Sequence, residues 1–242
     1  MRVAALYDIH GNLPALEAVL AEVRKFAVDQ IVVVGDVVPG PMPGECLECL
    51  LHLDLPVKFI SGNGEVAVLA ELAGQRSQVP EQFREAVRWS GNQLSASQVQ
   101  AAANWPKTLH QTINGIGRVL FCHATPRDEN ENFTQVTEVN RLLPIFHGLE
   151  ADLVICGHTH MQFDRVIGDV RVVNAGSVGM PFGKPGAYWA LLGPEVQLQR
   201  TNYDLEQAAA DIRSTNYPQA RTFANDNVLH PPSEIQMLEL LA

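Results

Sequence analysis

The first sixty residues alternate short apolar runs with helically spaced segments, and each apolar run ends in a polar cluster. Residues 2–7 are rich in β-formers and are predicted to be a buried strand. Residues 13–26 set Leu16, Val19, Leu20 and Val23 on one helical face, with Asn12 as cap and Pro14 in the first turn. A second buried strand is predicted at 31–34, a helix at 45–53 and a third strand at 57–60. Strand, helix, strand, helix, strand at this pace calls for parallel pairing through right-handed crossovers, so the start of the chain reads as α/β.

The rest of the chain has a different texture. Residues 65–105 are helical in composition, with breaks near Gly74, Pro80 and Gly91, and read as an inserted helical cap. Residues 109–113 and 118–122 read as a hairpin around Asn114-Gly115. A polar loop at 127–132 precedes a helix at 136–146, interrupted at Pro144, and a buried strand at 153–156. Strands are predicted at 163–167, 170–174, 188–192 and 196–199, then a helix at 204–213 capped by Asp204. The tail from Thr215 contains Tyr217-Pro218 and Pro231-Pro232 and gives no clear pattern.

Composition excludes several classes. With 46% hydrophobic and 18% charged residues the chain can build a sizeable core, which excludes disorder. No apolar run approaches the roughly 18–20 residues of a membrane helix, and the N-terminal run is too short for a signal peptide, so a cytoplasmic protein is expected. The net charge of −10 makes duplex nucleic acid an unfavourable partner. Cys46 and Cys49 form a lone C-x2-C without further ligands at matching spacing, and read as small apolar residues of one helix; Cys122 and Cys156 read as strand residues.

The chemistry gathers at strand ends. Asp8-Ile9-His10-Gly11-Asn12 follows the first strand, Gly35-Asp36 the second and Gly62-Asn63-Gly64-Glu65 the third. His123 and Gly157-His158-Thr159-His160 follow two later strands. In open α/β sheets the carboxyl ends of strands form the ligand crevice. Asp8, His10, Asp36, Asn63, His123, His158 and His160 therefore converge on one region, and divalent metals favour such a mixture of oxygen and imidazole donors. Ser61 and Ser177 have no histidine spaced as a partner and read as turn serines.

This five-part series resembles the calcineurin-like metallophosphoesterase superfamily. The match runs from residue 1 to about 180, and Asn174-Ala175-Gly176-Ser177-Val178-Gly179 resembles a further segment of its small bacterial and archaeal phosphodiesterase branch. The resemblance implies a four-layer α/β/β/α sandwich of two mixed β-sheets flanked by helices, with the strand-rich second half supplying the second sheet. It also implies two divalent ions. Asp8, His10, Asp36 and His160 would hold the first, and Asp36, Asn63, His123 and His158 the second, with Asp36 bridging. Manganese is the expected metal; iron, zinc, nickel and magnesium suit the same ligands. Hydroxide generated between the ions would attack phosphorus, with no side-chain nucleophile.

One departure stands out. The family's element reads Gly-Asn-His-Asp/Glu, where this chain has Gly62-Asn63-Gly64-Glu65. The absent histidine would reach the substrate phosphate or leaving group, so the resemblance implies a phosphodiesterase rather than a monoesterase. Gly64 either widens the substrate pocket or meets a backbone need for positive φ. Arg127 either grips a distal phosphate or is a solvated loop residue. The expected function is hydrolysis of phosphodiester or phosphoanhydride bonds in a small nucleotide-like substrate. The alternatives are a nuclease of the same fold, or a non-enzymatic protein-binding scaffold such as some relatives have become after losing ligands. Nothing in the sequence sets the oligomeric state.

Overall fold

The computed structural model describes residues 1–241. Strands β1 (Val3–Leu6), β2 (Gln30–Val34) and β3 (Val57–Ile60) pair in parallel, as the early alternation predicts. Helix α1 (Leu13–Val23) leads from β1 to β2, and α2 (Pro43–Leu51) from β2 to β3. Asn12 caps α1, its Oδ1 accepting the Ala15 amide at 3.2 Å. A second sheet contains β4 (Thr108–Ile113), β5 (Gly117–Cys122), β6 (Leu153–Cys156), β7 (Phe163–Ile167) and β8 (Val170–Asn174). Its order is β4-β5-β6-β8-β7, parallel in the middle and antiparallel at both edges.

Strands β9 (Ala187–Leu192) and β10 (Val196–Thr201) depart from the expectation that the second half builds only the second sheet. They return to the first sheet, giving the order β10-β9-β1-β2-β3. The reason is physical. A continuous apolar run such as that of β9 says that a strand is covered on both faces but not which strand lies beside it.

The layers follow from that alternation. Ala4, Leu6, Ile31 and Val33 face α1 and α2, together with Leu16 and Val19. Val3, Ala5, Tyr7, Val32 and Val34 face the other way and meet Phe121, Ile155 and Val173 of the second sheet. Leu120, Cys122, Val154 and Cys156 cover the outer face of that sheet against Leu142, Ile145 and Phe146 of α6 (Val139–Phe146). Two mixed sheets packed face to face with helices outside are the four-layer sandwich expected. All four cysteines are free, and Cys46, Cys122 and Cys156 are core residues.

The segment 65–105 contains α3 (Asn63–Leu72), α4 (Glu81–Asn92) and α5 (Ala96–Ala103). Gly91 does not break α4; a Cβ there would stand 3.0 Å from Leu72 Cγ, so the glycine lets α4 approach α3 closely. Helix α6 starts later than predicted and runs through Pro144. Arg165 Nη1 donates to the carbonyls of Thr134, Gln135 and Thr137, which holds those residues in a turn outside the helix. The tail is helical. It comprises α7 (Leu205–Ser214) capped by Asp204, α8 (Ala220–Phe223) continuing into a π-helical turn at Ala224–Leu229, and α9 (Glu234–Leu241). Its apolar side joins Ala86 and Trp89 of α4. Among the described residues no helix is long and apolar enough to cross a membrane.

Candidate metal centre

The loops at the carboxyl ends of the two sheets are stitched together. His10 N donates to Asp36 O at 2.8 Å and Gly11 N to Val37 O at 2.8 Å, extending the β1–β2 pairing past the strands. Across the sheets, His158 N donates to Asp8 Oδ2 at 2.9 Å, and Tyr7 Oη to Ile155 O at 2.8 Å. Ser177 Oγ donates to Asp8 O at 2.7 Å, so this serine holds the Asp8 loop and is not a nucleophile. Among the described residues six non-glycine residues have positive φ, and five of them are Asp8, His10, Asp36, His158 and His160. Each such conformation costs on the order of 1–3 kcal/mol, and concentration at one place is the pattern of a functional site.

The stitching brings two groups of donors together. Asp8, His10 and His160 form one, and Asp8, Asp36 and His123 the other; within each, the ligand atoms lie within 4.8 Å of one another. Asp8 Oδ1 lies 3.9 Å from His10 Nε2, 3.3 Å from His160 Nε2 and 3.7 Å from His123 Nε2. Asp36 spans the same groups, with Oδ2 3.7 Å from His10 Nε2 and Oδ1 3.5 Å from His123 Nε2. Both carboxylates thus lie between the groups, Asp36 being the one for which the resemblance implies that position. Asn63 Oδ1 lies 2.9 Å from His123 Nε2. The His158 ring belongs to neither group and packs edge-on against His123, with centroids 5.2 Å apart.

The donor set fits divalent metal. His10 Nδ1 faces Pro39 O, His123 Nδ1 faces Val34 O and His160 Nδ1 faces Met180 O, at 3.3, 3.0 and 2.7 Å. A carbonyl only accepts, so these Nδ1 atoms carry hydrogen and the Nε2 lone pairs point inward. There they meet other acceptors: His10 Nε2 lies 3.2 Å from His160 Nε2, and His123 Nε2 faces Asn63 Oδ1. Asp8 Oδ1 is buried without any hydrogen-bond partner. Lone pairs and carboxylate oxygens converging without donors need a proton or a cation between them.

The electrostatics agree. Burial, aided by the neighbouring His160, pushes His10 down to about 3; burial and His123 push His158 down to about 3. Both imidazoles are therefore neutral near pH 7, the form that ligates metal. His123 and His160 go the other way: despite burial, the Asp8 and Asp36 carboxylates raise both imidazoles, and these two in turn outweigh the burial of Asp8 and hold its carboxyl below the usual range, so the centre takes a proton where no metal is bound. Burial raises Asp36, and the Asp8 charge adds to that.

Two further residues shape the centre. The Glu65 carboxylate is fully buried and accepts four backbone N–H bonds, from Asp36, Val37 and Gly62 at 2.8 Å and from Val38 at 3.2 Å. Gly64 N returns the clasp by donating to Asp36 Oδ1 at 2.6 Å. Gly64 is not at positive φ: it sits in the first turn of α3, where a Cβ would run into Val38 O and stand 2.8 Å from Asp36 Oδ1. Close approach is what requires this glycine, neither pocket space nor handedness. Arg127 lies in its loop paired with Glu131, Nε to Oε2 at 3.0 Å. Glu65 was legible as part of Gly-Asn-Gly-Glu; its four partners were not.

Two facing mixed sheets with carboxylates and imidazoles at their carboxyl ends define a metallophosphoesterase type of architecture. The chain belongs to the calcineurin-like phosphoesterase superfamily, whose domain model matches residues 1–195. It is 25% identical over 241 residues to the uncharacterized protein MJ0912 of Methanocaldococcus jannaschii, covering 90% of this chain and 94% of that one. A crystal structure of a metallophosphoesterase from Sphaerobacter thermophilus aligns with TM-score 0.73 and 26% identity, over 93% of this chain and 98% of the other. The hypothetical protein PH1004 of Pyrococcus horikoshii aligns with TM-score 0.80 at 18% identity, over 96% and 99%, and shares the fold.

Proposed function

We propose that this chain is a metal-dependent phosphoesterase that cleaves phosphodiester or phosphoanhydride bonds of a small nucleotide-like substrate. The observation that carries the reading is the orphaned Asp8 Oδ1, ringed by the Nε2 atoms of three histidines whose Nδ1 atoms face carbonyls. Asp8, His10, Asp36 and His160 would hold one divalent ion, and Asp36, Asn63, His123 and His158 a second; manganese is the first metal to test. Such ions supply Lewis acidity toward phosphoryl oxygens and make water acidic enough to ionise near neutral pH.

The chain's own residues do the rest. Carbonyls behind His10, His123 and His160 fix the ring orientations, so little reorganisation is required during reaction. The Glu65 clasp fixes Asp36 relative to Asn63. Position 64 offers no side chain to protonate a leaving alkoxide, and such help is typically worth about 10²–10⁴-fold. Esters with acidic leaving groups, and diesters over alkyl monoesters, are the matching substrates. We read α3, α4 and α5 as a cap within one domain spanning 1–242.

A metal-reconstituted hydrolysis screen tests the reading. Bis-aryl diesters, monoesters, cyclic nucleotides and dinucleoside polyphosphates are compared, with metal content measured per chain. Metal-dependent turnover of a diester or anhydride, abolished together with ion binding in Asp36→Ala, is the expected result. Absence of bound metal after Mn²⁺ loading would sink the assignment, and faster turnover of alkyl monoesters than of any diester would sink the specificity.

A further inference from the structure

Helix α3 has two working faces. Gly64, Glu65, Val68 and Glu71 are buried on one. Asn63, Val66, Ala67 and Ala70 recur at i, i+3, i+4 and i+7 on the other and line a cavity of about 610 Å³, Ala67 being buried against the core. The stripe begins at Asn63, which touches His123, so the cavity opens directly from the edge of the candidate metal centre. Val79 and Pro80 add apolar lining, and Lys107 and the loop at 127–130 add polar lining. The volume lies in the range of small-molecule sites. Val66 is 42% exposed, at a place where a solvated helix face would normally carry a charged residue.

Each cation lining the cavity already has a carboxylate partner. Arg76 pairs with Glu81 at 3.4 Å and Lys107 with Glu129 at 2.9 Å. Arg127 is held by Glu131, and Asp128 adds another carboxylate to the lining. A further phosphate entering here would compete with a carboxylate at each cation it touched and would face Asp128 besides. A neutral group with an apolar face and some hydroxyls carries no such cost.

We propose that this cavity receives the neutral alcohol component of a phosphodiester, of nucleoside size and chemistry, laid along Val66 and Ala70 with its phosphate at Asn63. The proposal rests on the phosphoesterase reading and narrows it, favouring diesters over polyphosphates. It also makes Arg127 a brace of its loop rather than the grip for a distal phosphate.

Ala70→Trp and Val66→Trp fill the cavity without replacing a candidate ligand. Two diesters releasing the same leaving group are compared: thymidine 5′-(p-nitrophenyl phosphate) and methyl p-nitrophenyl phosphate. Wild type should favour the thymidine ester by tenfold or more in kcat/KM, and each tryptophan should cut that ratio at least tenfold. A ratio near one in wild type, or unchanged in both variants, overturns the proposal. Calorimetric titration with thymidine gives a readout independent of turnover, with binding by wild type and at least tenfold weaker binding by variants whose melting temperature is preserved. If neither ester is hydrolysed but thymidine binding follows this pattern, the phosphoesterase reading fails and the cavity assignment stands. No thymidine binding by wild type overturns the cavity assignment.

Discussion

At the scale of single residues, the clasp between Glu65 and Asp36 separates what side-chain chemistry announces from what only geometry reveals. A carboxylate can accept all four amides around it, whereas an amide turns its NH₂ toward donors. Glu65→Gln should therefore destabilise the fold by about 2 kcal/mol, as expected when buried backbone donors lose an acceptor oxygen. Urea denaturation measures it, and an unchanged midpoint would contradict the clasp. Gly64→Ala should be costly for a different reason, since its Cβ must push back Val38 O or the Asp36 carboxylate. The expected outcome is lower stability together with weaker metal binding, read by melting and by metal titration. The ligand candidates were legible because histidine and aspartate at strand ends carry chemistry that a plain turn does not need. Ser177 and Glu65 were not legible as supports, because a hydroxyl or carboxylate shows no partner until the chain brings one 169 or 29 residues distant, as with Asp8 and Asp36.

At the scale of elements, strand positions were read almost residue for residue where apolar runs are bounded by polar clusters, as in β3, β6, β7 and β8. Helix starts were less legible, because the side chain that sets a start can be remote; Arg165 fixes the turn before α6 from another strand. The join between α3 and α4 carries a pH-dependent contribution. Glu71 accepts from Arg84 Nε at 2.9 Å, from Ser77 Oγ at 2.8 Å and from Arg88 Nη2 at 3.1 Å. Arg84 foremost, then Ser77, brings its carboxyl down from 4.5 to about 2. A folded-state value below the unfolded one means that the stabilisation is complete above 4.5 and is lost as pH falls through about 2. Glu71→Gln should flatten the stability profile across that window, as melts at successive pH values would record. A variant whose profile stays parallel to wild type would show that the network contributes nothing there.

At the scale of the whole molecule, the sandwich follows from one local rule applied twice: every central strand is apolar on both faces, so each sheet must be covered on both. That rule is visible in the sequence. The return of β9 and β10 to the first sheet is not, because pairing partners depend on where a long connection lands. The tail was opaque for a related reason, since its apolar residues find their cover on α4. Trp89 meets Tyr217 edge-on at 5.4 Å, and Ala86 joins the cluster of Ala209, Ile212 and Phe223. The residues between α3 and α5 are thereby sealed by chain that lies more than a hundred residues further along the sequence. During synthesis α4 must wait, with one side uncovered, until more than a hundred further residues have emerged. In the finished protein, α4 and the segment from Tyr217 to Val228 should open together. Their amides should share one exchange free energy in native-state hydrogen exchange, distinct from that of α9, which buries no residue, and Tyr217→Ala should speed exchange in α4 as much as in the tail. Exchange in α4 that ignored that substitution would show the two segments to be independent.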